Sequence, residues 1–166
     1  LGSFANVFAI ESFMDELAHA AAQDPVAFRL AYLEDERAVA VIRCAAEAAG
    51  WGRSLDPSRG LGIGFAQYKN EKAYVAVCAD VTVQTTGQIQ LNKMTIAGDV
   101  GQVINPDGVK SQLEGGVVQA ASWTLKEEVT FSRDRITSVN WETYPVLRFD
   151  EVPEVVTLLV DRQGFP

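Results

Sequence analysis

Histidine occurs once in these 166 residues and cysteine only twice. A single histidine, His19, cannot build a histidine metal site, and a nucleophilic triad needs a suitably placed histidine, which a lone helical one does not suggest. It reads as a surface or packing residue of a helix. Cys44 and Cys78 stand far apart with no CxxC spacing, which removes the common zinc and redox signatures. Cys44 falls in an alanine-rich helical pattern and Cys78 in a strand pattern, so both read as small packed residues. No apolar run approaches the roughly 18 residues of a membrane span. Basic residues are few, 14 against 22 acidic ones, and the net charge of -8 argues against a nucleic-acid backbone as partner. A phosphate cradle is missing too. The stretch GLGIG at 60–64 lacks the remainder of a GxGxxG fingerprint and any P-loop lysine, and reads as a strand entering close packing.

What is present is the composition of a soluble globular protein, 48% apolar and 22% charged, in a chain long enough for one domain with a sizeable core. Residues from about 4 to 22 predict a helix, with Val7, Ile10, Met14, Leu17 and Ala21 on one side and Glu11, Asp15 and Glu16 on the other. Asp24-Pro25 is a cap followed by a first-turn proline, opening a short helix to about Leu33. A third helix spans about Glu36 to Ala49 and stops at Gly50. Beyond a Gly/Ser/Pro-dense loop the period changes to two. LGIGFAQY and AYVAVCADVTVQ suit strands, and Val75, Val77, Ala79 and Val81 make an all-apolar face opposite Tyr74, Ala76, Cys78 and Asp80. QIQLNKMTIAGDVG returns as an antiparallel partner, a second hairpin is predicted around Arg133-Asp134, and EVVTLLVD is the last strand. The fold class is α+β: N-terminal helices, then a mostly antiparallel sheet packed on one long glycine-containing helix. Residues 1–52 form a helical segment and 53–166 the sheet-and-helix portion of the same domain. The abrupt start at Leu1 and the end at DRQGFP read as a piece of a longer polypeptide.

The long helix, NPDGVKSQLEGGVVQAASWTLKEE, carries the main puzzle. Asn105 caps it and Pro106 suits its first position. Gly115 and Gly116 then sit mid-helix, where each costs about 1 kcal/mol relative to alanine. At 100° per residue, Gln112, Gly115, Gly116, Gln119 and Trp123 share one side, beside an apolar line of Val109, Leu113, Val117, Ala120 and Thr124. A stripe without Cβ atoms, flanked by two amides, permits a close approach. Two occupants suit it: a neighbouring helix or sheet, with the glutamines solvated, or a flat heterocycle or the polar tail of a cofactor. The acidic residues of KEEV and RFDEVPEV read as solvated faces or caps, and Tyr68-Lys69-Asn70, directly after a strand, as an exposed polar loop or, alternatively, the lining of a pocket.

FAIESFMDELA, DPVAFRLAYL, RGLGIGFAQYKN, DVGQVINPDGVKSQLEGGVVQAASWTLKEEV and YPVLRFDEVPEV follow one another over nearly the whole chain. In this order they resemble the molybdopterin-binding large subunit of the xanthine dehydrogenase and aldehyde oxidase family, in its bacterial isoquinoline 1-oxidoreductase beta-subunit type. The resemblance implies an oxidoreductase that hydroxylates a carbon next to nitrogen in an aromatic heterocycle, or an aldehyde carbon, with oxygen from water. The cofactor implied is molybdenum on molybdopterin, in the cytosine dinucleotide form, with iron–sulfur clusters on a small partner subunit. Gln112 matches the family glutamine that hydrogen-bonds the cofactor. Gly115 and Gly116 match small residues that let the helix approach its neighbours, and Gln119 falls on the same motif. Leu1 to Asn6 follow the segment that passes beside the molybdenum. The catalytic glutamate of the family's GxGE motif is expected beyond Pro166, so no catalytic residue and no protein metal ligand is assigned within this chain. The remainder of the molybdopterin subunit is an expected partner. The alternative is a non-catalytic structural or subunit-assembly domain descended from such an enzyme.

Overall fold

Three helices open the chain in the computed structural model, which describes residues 2–160 and 162: α1 (Gly2–Ala20), α2 (Pro25–Tyr32) and α3 (Glu36–Ala49). Local chemistry sets their limits. The Asp24 carboxylate accepts from the Val26 and Ala27 amides at 3.0 and 2.9 Å, ahead of Pro25 in the first turn. Asp35 caps α3 in the same way, accepting from the Arg37 amide at 2.8 Å. Gly50 ends α3 in the left-handed conformation, φ 66°, which a side chain would resist.

Four strands follow in the order β1 (Arg59–Tyr68), β2 (Ala73–Val83), β3 (Ile89–Asp99) and β4 (Glu154–Leu159). The first three pair antiparallel, and β4 joins β3 in parallel. A parallel pair needs a crossover, and α4 (Pro106–Leu125) supplies it. The α+β architecture read from the sequence is therefore the one observed. The core lies between α3 and one face of the sheet. Ala38, Val41, Ile42, Ala45 and Ala49 pack there on Ile63, Tyr74, Ala76, Cys78 and Ala97. The small side chains of α3 bring that helix close to the strands. The sheet's opposite face receives α4, which seats Leu113 over Gly98 so closely that a Cβ at Gly98 would lie 2.8 Å from Leu113 Cδ1.

Several expectations need correction. On α1, Ile10 and Leu17 are 58% and 38% exposed, and only Ala18 is buried. The side of α1 that turns inward carries Glu11 and Asp15, because the buried Arg29 of α2 demands anions there. On β2 the buried face is Tyr74, Ala76, Cys78 and Asp80, and the all-valine-and-alanine face is only half covered. Among the described residues nothing lies within 4 Å of a Cβ position at Gly60, Gly62 or Gly64 of β1, so they form a bare strip instead of a close-packed one. The hairpin expected at Arg133-Asp134 shrinks to one bridge, Phe131 to Ile136, in a largely exposed connection. The buried residues of α4 are Val117, Ala121 and Ser122, with Leu113 and Ala120 half-buried, while Thr124 is exposed.

Candidate functional site

The helix α4 begins as its sequence dictates. Asn105 Oδ1 accepts from the Gly108 amide at 3.0 Å, and Pro106 takes the first position. Twenty residues later the backbone N–H of Lys126 closes on the carbonyl of Ser122. Between these ends Gln112, Gly115, Gly116 and Gln119 are all exposed and lie along one side. No atom among the described residues comes within 4 Å of a Cβ position at Gly115 or Gly116. Neither glutamine amide has a hydrogen-bond partner among the described residues. Among the described residues, then, the stripe is not a packing seam. It is an open ledge with bare backbone at its centre and two free amides at its shoulders.

Trp123 closes one end of the ledge, and Phe4 of α1 meets its ring edge-on at 5.5 Å. Residue 4 and residue 123 are remote in sequence. The structure thus brings the start of α1 to the helix carrying Gln112. An apolar cleft of about 320 Å³ continues along α1, between Val7, Phe8 and Glu11 and the uncovered face of β1 and β2 at Gly64, Ala66, Val75 and Val77.

Three buried charges that sequence reasoning missed hold these elements in place. Arg29, 2% exposed, donates from Nε to Glu11 Oε2 at 3.1 Å, from Nη1 to Asp15 Oδ1 at 2.7 Å, and from Nη2 to the Glu11 carbonyl at 3.1 Å. Glu11 Oε2 also accepts the Phe65 amide at 2.8 Å, so one carboxylate ties α1 to both α2 and β1. Asp80 sits on the α3 face of the sheet beside Arg53. It accepts from Arg59 Nη2 at 2.7 Å and from Asn92 Nδ2 at 3.0 Å. Burial opposes its charge, but the Asn92 and Arg59 hydrogen bonds and the two guanidinium charges together hold its carboxyl below the usual range. Asp99, fully buried, takes both arms of Arg37, at 3.1 Å to Oδ2 and 2.7 Å to Oδ1, the Gly101 amide at 3.0 Å, and lies 2.7 Å from Arg162. Again burial works against the anion, and the Arg37 hydrogen bonds, the Gly101 amide and the cationic neighbours outweigh it. A signal for Asp80 was present: the alternation of β2 put it on the same face as Tyr74, Ala76 and Cys78. For Arg29 and Asp99 nothing local distinguishes them from solvated charges.

Lys69 and Asn70 adopt positive φ, 46° and 64°, in the turn between β1 and β2, and Tyr68 is exposed. Burial pushes the Cys78 thiol up to about 12, so it stays protonated, and Cys44 is raised for the same reason. Among the described residues no group of three or more His, Cys, Asp and Glu side chains is placed to hold a metal, and no helix is long and apolar enough to cross a membrane.

The ledge on α4 thus stands beside a mixed sheet with both glutamine side chains exposed. The chain belongs to the molybdopterin cofactor-binding domain family, whose model matches residues 9–153. It is similar to a nicotinate dehydrogenase subunit of Pseudomonas putida, with 38% identity over 97% of this chain and 15% of that protein. It is similar also to the beta subunit of isoquinoline 1-oxidoreductase from Brevundimonas diminuta, with 37% identity over 93% of this chain and 20% of that protein. Among solved structures, quinoline 2-oxidoreductase from Pseudomonas putida 86 superposes with a TM-score of 0.51 and 25% identity, over 54% of this chain and 12% of that one. The resemblance to the molybdopterin-binding subunit of the xanthine dehydrogenase family is thereby borne out. The chain spans a fifth or less of the length of these two curated relatives.

Proposed function

We propose that this chain is the part of a molybdenum hydroxylase large subunit that contributes one wall of the cofactor site, with Gln112 as its main contact. The observation that carries this reading is the ledge on α4. Its two amides lack partners among the described residues, and nothing crowds Gly115 or Gly116. These residues fit a polar, flat-edged group: bare backbone admits it closely, and an amide can donate and accept at once. Gln112 would hydrogen-bond the cofactor, Gly115 and Gly116 would leave room for it, and Gln119 would support the same edge. The meeting of Phe4 with Trp123 adds support, because it sets the start of α1 beside the ledge.

When bound, molybdenum on molybdopterin supplies the redox chemistry for hydroxylating an aromatic N-heterocycle, or oxidising an aldehyde, with oxygen from water. We assign the cofactor its cytosine dinucleotide form, electron acceptance to iron–sulfur clusters on a small partner subunit, and the catalytic base to a glutamate of the parent protein outside residues 1–166. This chain's own part is to bind and orient.

The test is Gln112→Leu in the intact parent protein, which keeps the bulk and removes the amide. Loss of a hydrogen bond to a buried polar group costs about 1–3 kcal/mol, roughly 5- to 150-fold in cofactor affinity. Molybdenum retained after dialysis should fall, while the melting temperature of the cofactor-free protein stays unchanged because Gln112 is exposed on α4. Unaltered molybdenum retention would end the assignment of Gln112 and return α4 to a packing role.

A further inference from the structure

The ledge is useful only if α4 is held at one height and rotation, and the residues that fix it lie outside the helix. Asp99 is the last residue of β3, six positions before the Asn105 cap. Its buried carboxylate is grasped by Arg37 from α3 through two hydrogen bonds, at 3.1 and 2.7 Å. The same oxygen that accepts from Arg37 Nη2 accepts the Gly101 amide at 3.0 Å, which folds the chain back at the start of the β3–α4 connection. Gly101 is buried there with φ 74°, a conformation that suits glycine. Arg162, beyond β4, lies 2.7 Å from the second oxygen. Arg37 reaches on to the Glu71 carbonyl in the β1–β2 turn, and its guanidinium stacks 4.3 Å from the centre of the Tyr74 ring. One anion therefore joins α3, the connection into α4 and the segment after β4. Immediately before it, Gly98 lies under Leu113, the neighbour of Gln112 in sequence.

We infer that Asp99 is a positioning residue for the cofactor contact: its carboxylate, clamped by Arg37 and closed on the Gly101 amide, sets where α4 begins and hence the placement of Gln112. Asp99 touches no part of the ledge itself. Its action is transmitted through the backbone of the β3–α4 connection. The inference rests on the reading of Gln112 as the cofactor contact. It adds that a residue of the sheet controls how well that contact is made.

A double-mutant cycle in the intact parent protein tests it. Asp99→Asn keeps the shape and an acceptor for Gly101 but removes the charge that holds Arg37. Arg37→Lys keeps a cation but loses the two-armed grip, and serves if the first variant folds poorly. Molybdenum retained after dialysis and the melting temperature of the cofactor-free protein are measured for each variant, for Gln112→Leu, and for the combinations. Asp99→Asn or Arg37→Lys should weaken retention about fivefold or more alone, and should add nothing further once Gln112 is leucine, since residues acting through one contact are non-additive. Multiplying losses would show that Asp99 supports only the general fold, and overturn the inference while leaving Gln112 in place. Full retention in Asp99→Asn and Arg37→Lys would overturn it likewise. Unchanged retention in Gln112→Leu would overturn the underlying reading and this inference together.

Discussion

Asp80 shows how a single side chain can be both a liability and a support. A carboxylate on the buried face of β2 is stable only because Arg53, Arg59 and Asn92 converge on it. Its pKa, like that of Asp99, lies below the ordinary value. Such a group binds its proton less readily folded than unfolded. It therefore stabilises the fold fully above the unfolded pKa, and that contribution is lost as pH falls below about 4 and through the folded value. Asp80→Asn should lower stability at neutral pH by about 1–2 kcal/mol, the lower part of the range for a broken charged hydrogen bond. Arg53 and Arg59 are each over a third exposed, and water can take the place of the lost partner. The variant should also lose less stability than the parent on acidification. Urea melts between neutral pH and pH 3 measure both effects, and an unchanged acid slope would remove Asp80 from the account.

At the scale of the element, α4 carries a contradiction that separates stability from function. Two adjacent glycines weaken a helix interior, yet no described atom crowds either one and neither has positive φ. Alanine at Gly115 or Gly116 should thus stabilise the cofactor-free protein by about 0.5–1 kcal/mol each. The same methyl groups would stand where the cofactor is proposed to approach, so molybdenum retention should fall. Opposite signs in melting temperature and metal content are the expected result for Gly115→Ala and Gly116→Ala. A gain in stability with full metal content would mean that the ledge faces nothing. Helix α1 teaches a related lesson. Its apolar periodicity was legible, but Arg29 claims Glu11 and Asp15, and the rotation that satisfies the guanidinium turns Ile10 and Leu17 outward.

The whole molecule presents many large apolar side chains at its surface. Phe4, Phe8, Phe13 and Ile10 are each more than half exposed on α1, and Trp141 and Phe149 stand out from the connection between α4 and β4. On α1, Phe4 and Phe8 share one side and Ile10 and Phe13 another, and exposed apolar side chains grouped in this way mark interaction surfaces. Purified residues 1–166 should therefore bind a hydrophobic dye strongly and self-associate, and polar replacements such as Phe8→Ser and Phe13→Ser should reduce both without lowering the melting temperature. The same preparation should hold no stoichiometric molybdenum and oxidise neither N-heterocycles nor aldehydes, because a single ledge cannot enclose the cofactor. Stoichiometric metal or turnover in the isolated chain would contradict the one-wall reading.

Caps, breakers and periodicity are local, and the sequence by itself determined what they control. Asp24-Pro25, Gly50 and Asn105-Pro106 act on backbone groups two to four residues away, so these helix limits were legible without any tertiary information. The period of two in β2 and β3 likewise announced a hairpin, and the side of α4 shared by Gln112, Gly115, Gly116 and Gln119 followed from helical geometry alone. Which faces are covered was decided only by the tertiary structure. Burial depends on what lies opposite: α3 chose the Tyr74–Asp80 face of the sheet, and the arginines made that choice tolerable. The openness of the ledge, the approach of Phe4 to Trp123 and the grip of Arg37 on Asp99 join residues from 62 to more than a hundred positions apart. No local pattern encodes such pairs, because charge pairing and side-chain packing act through space once the chain has folded.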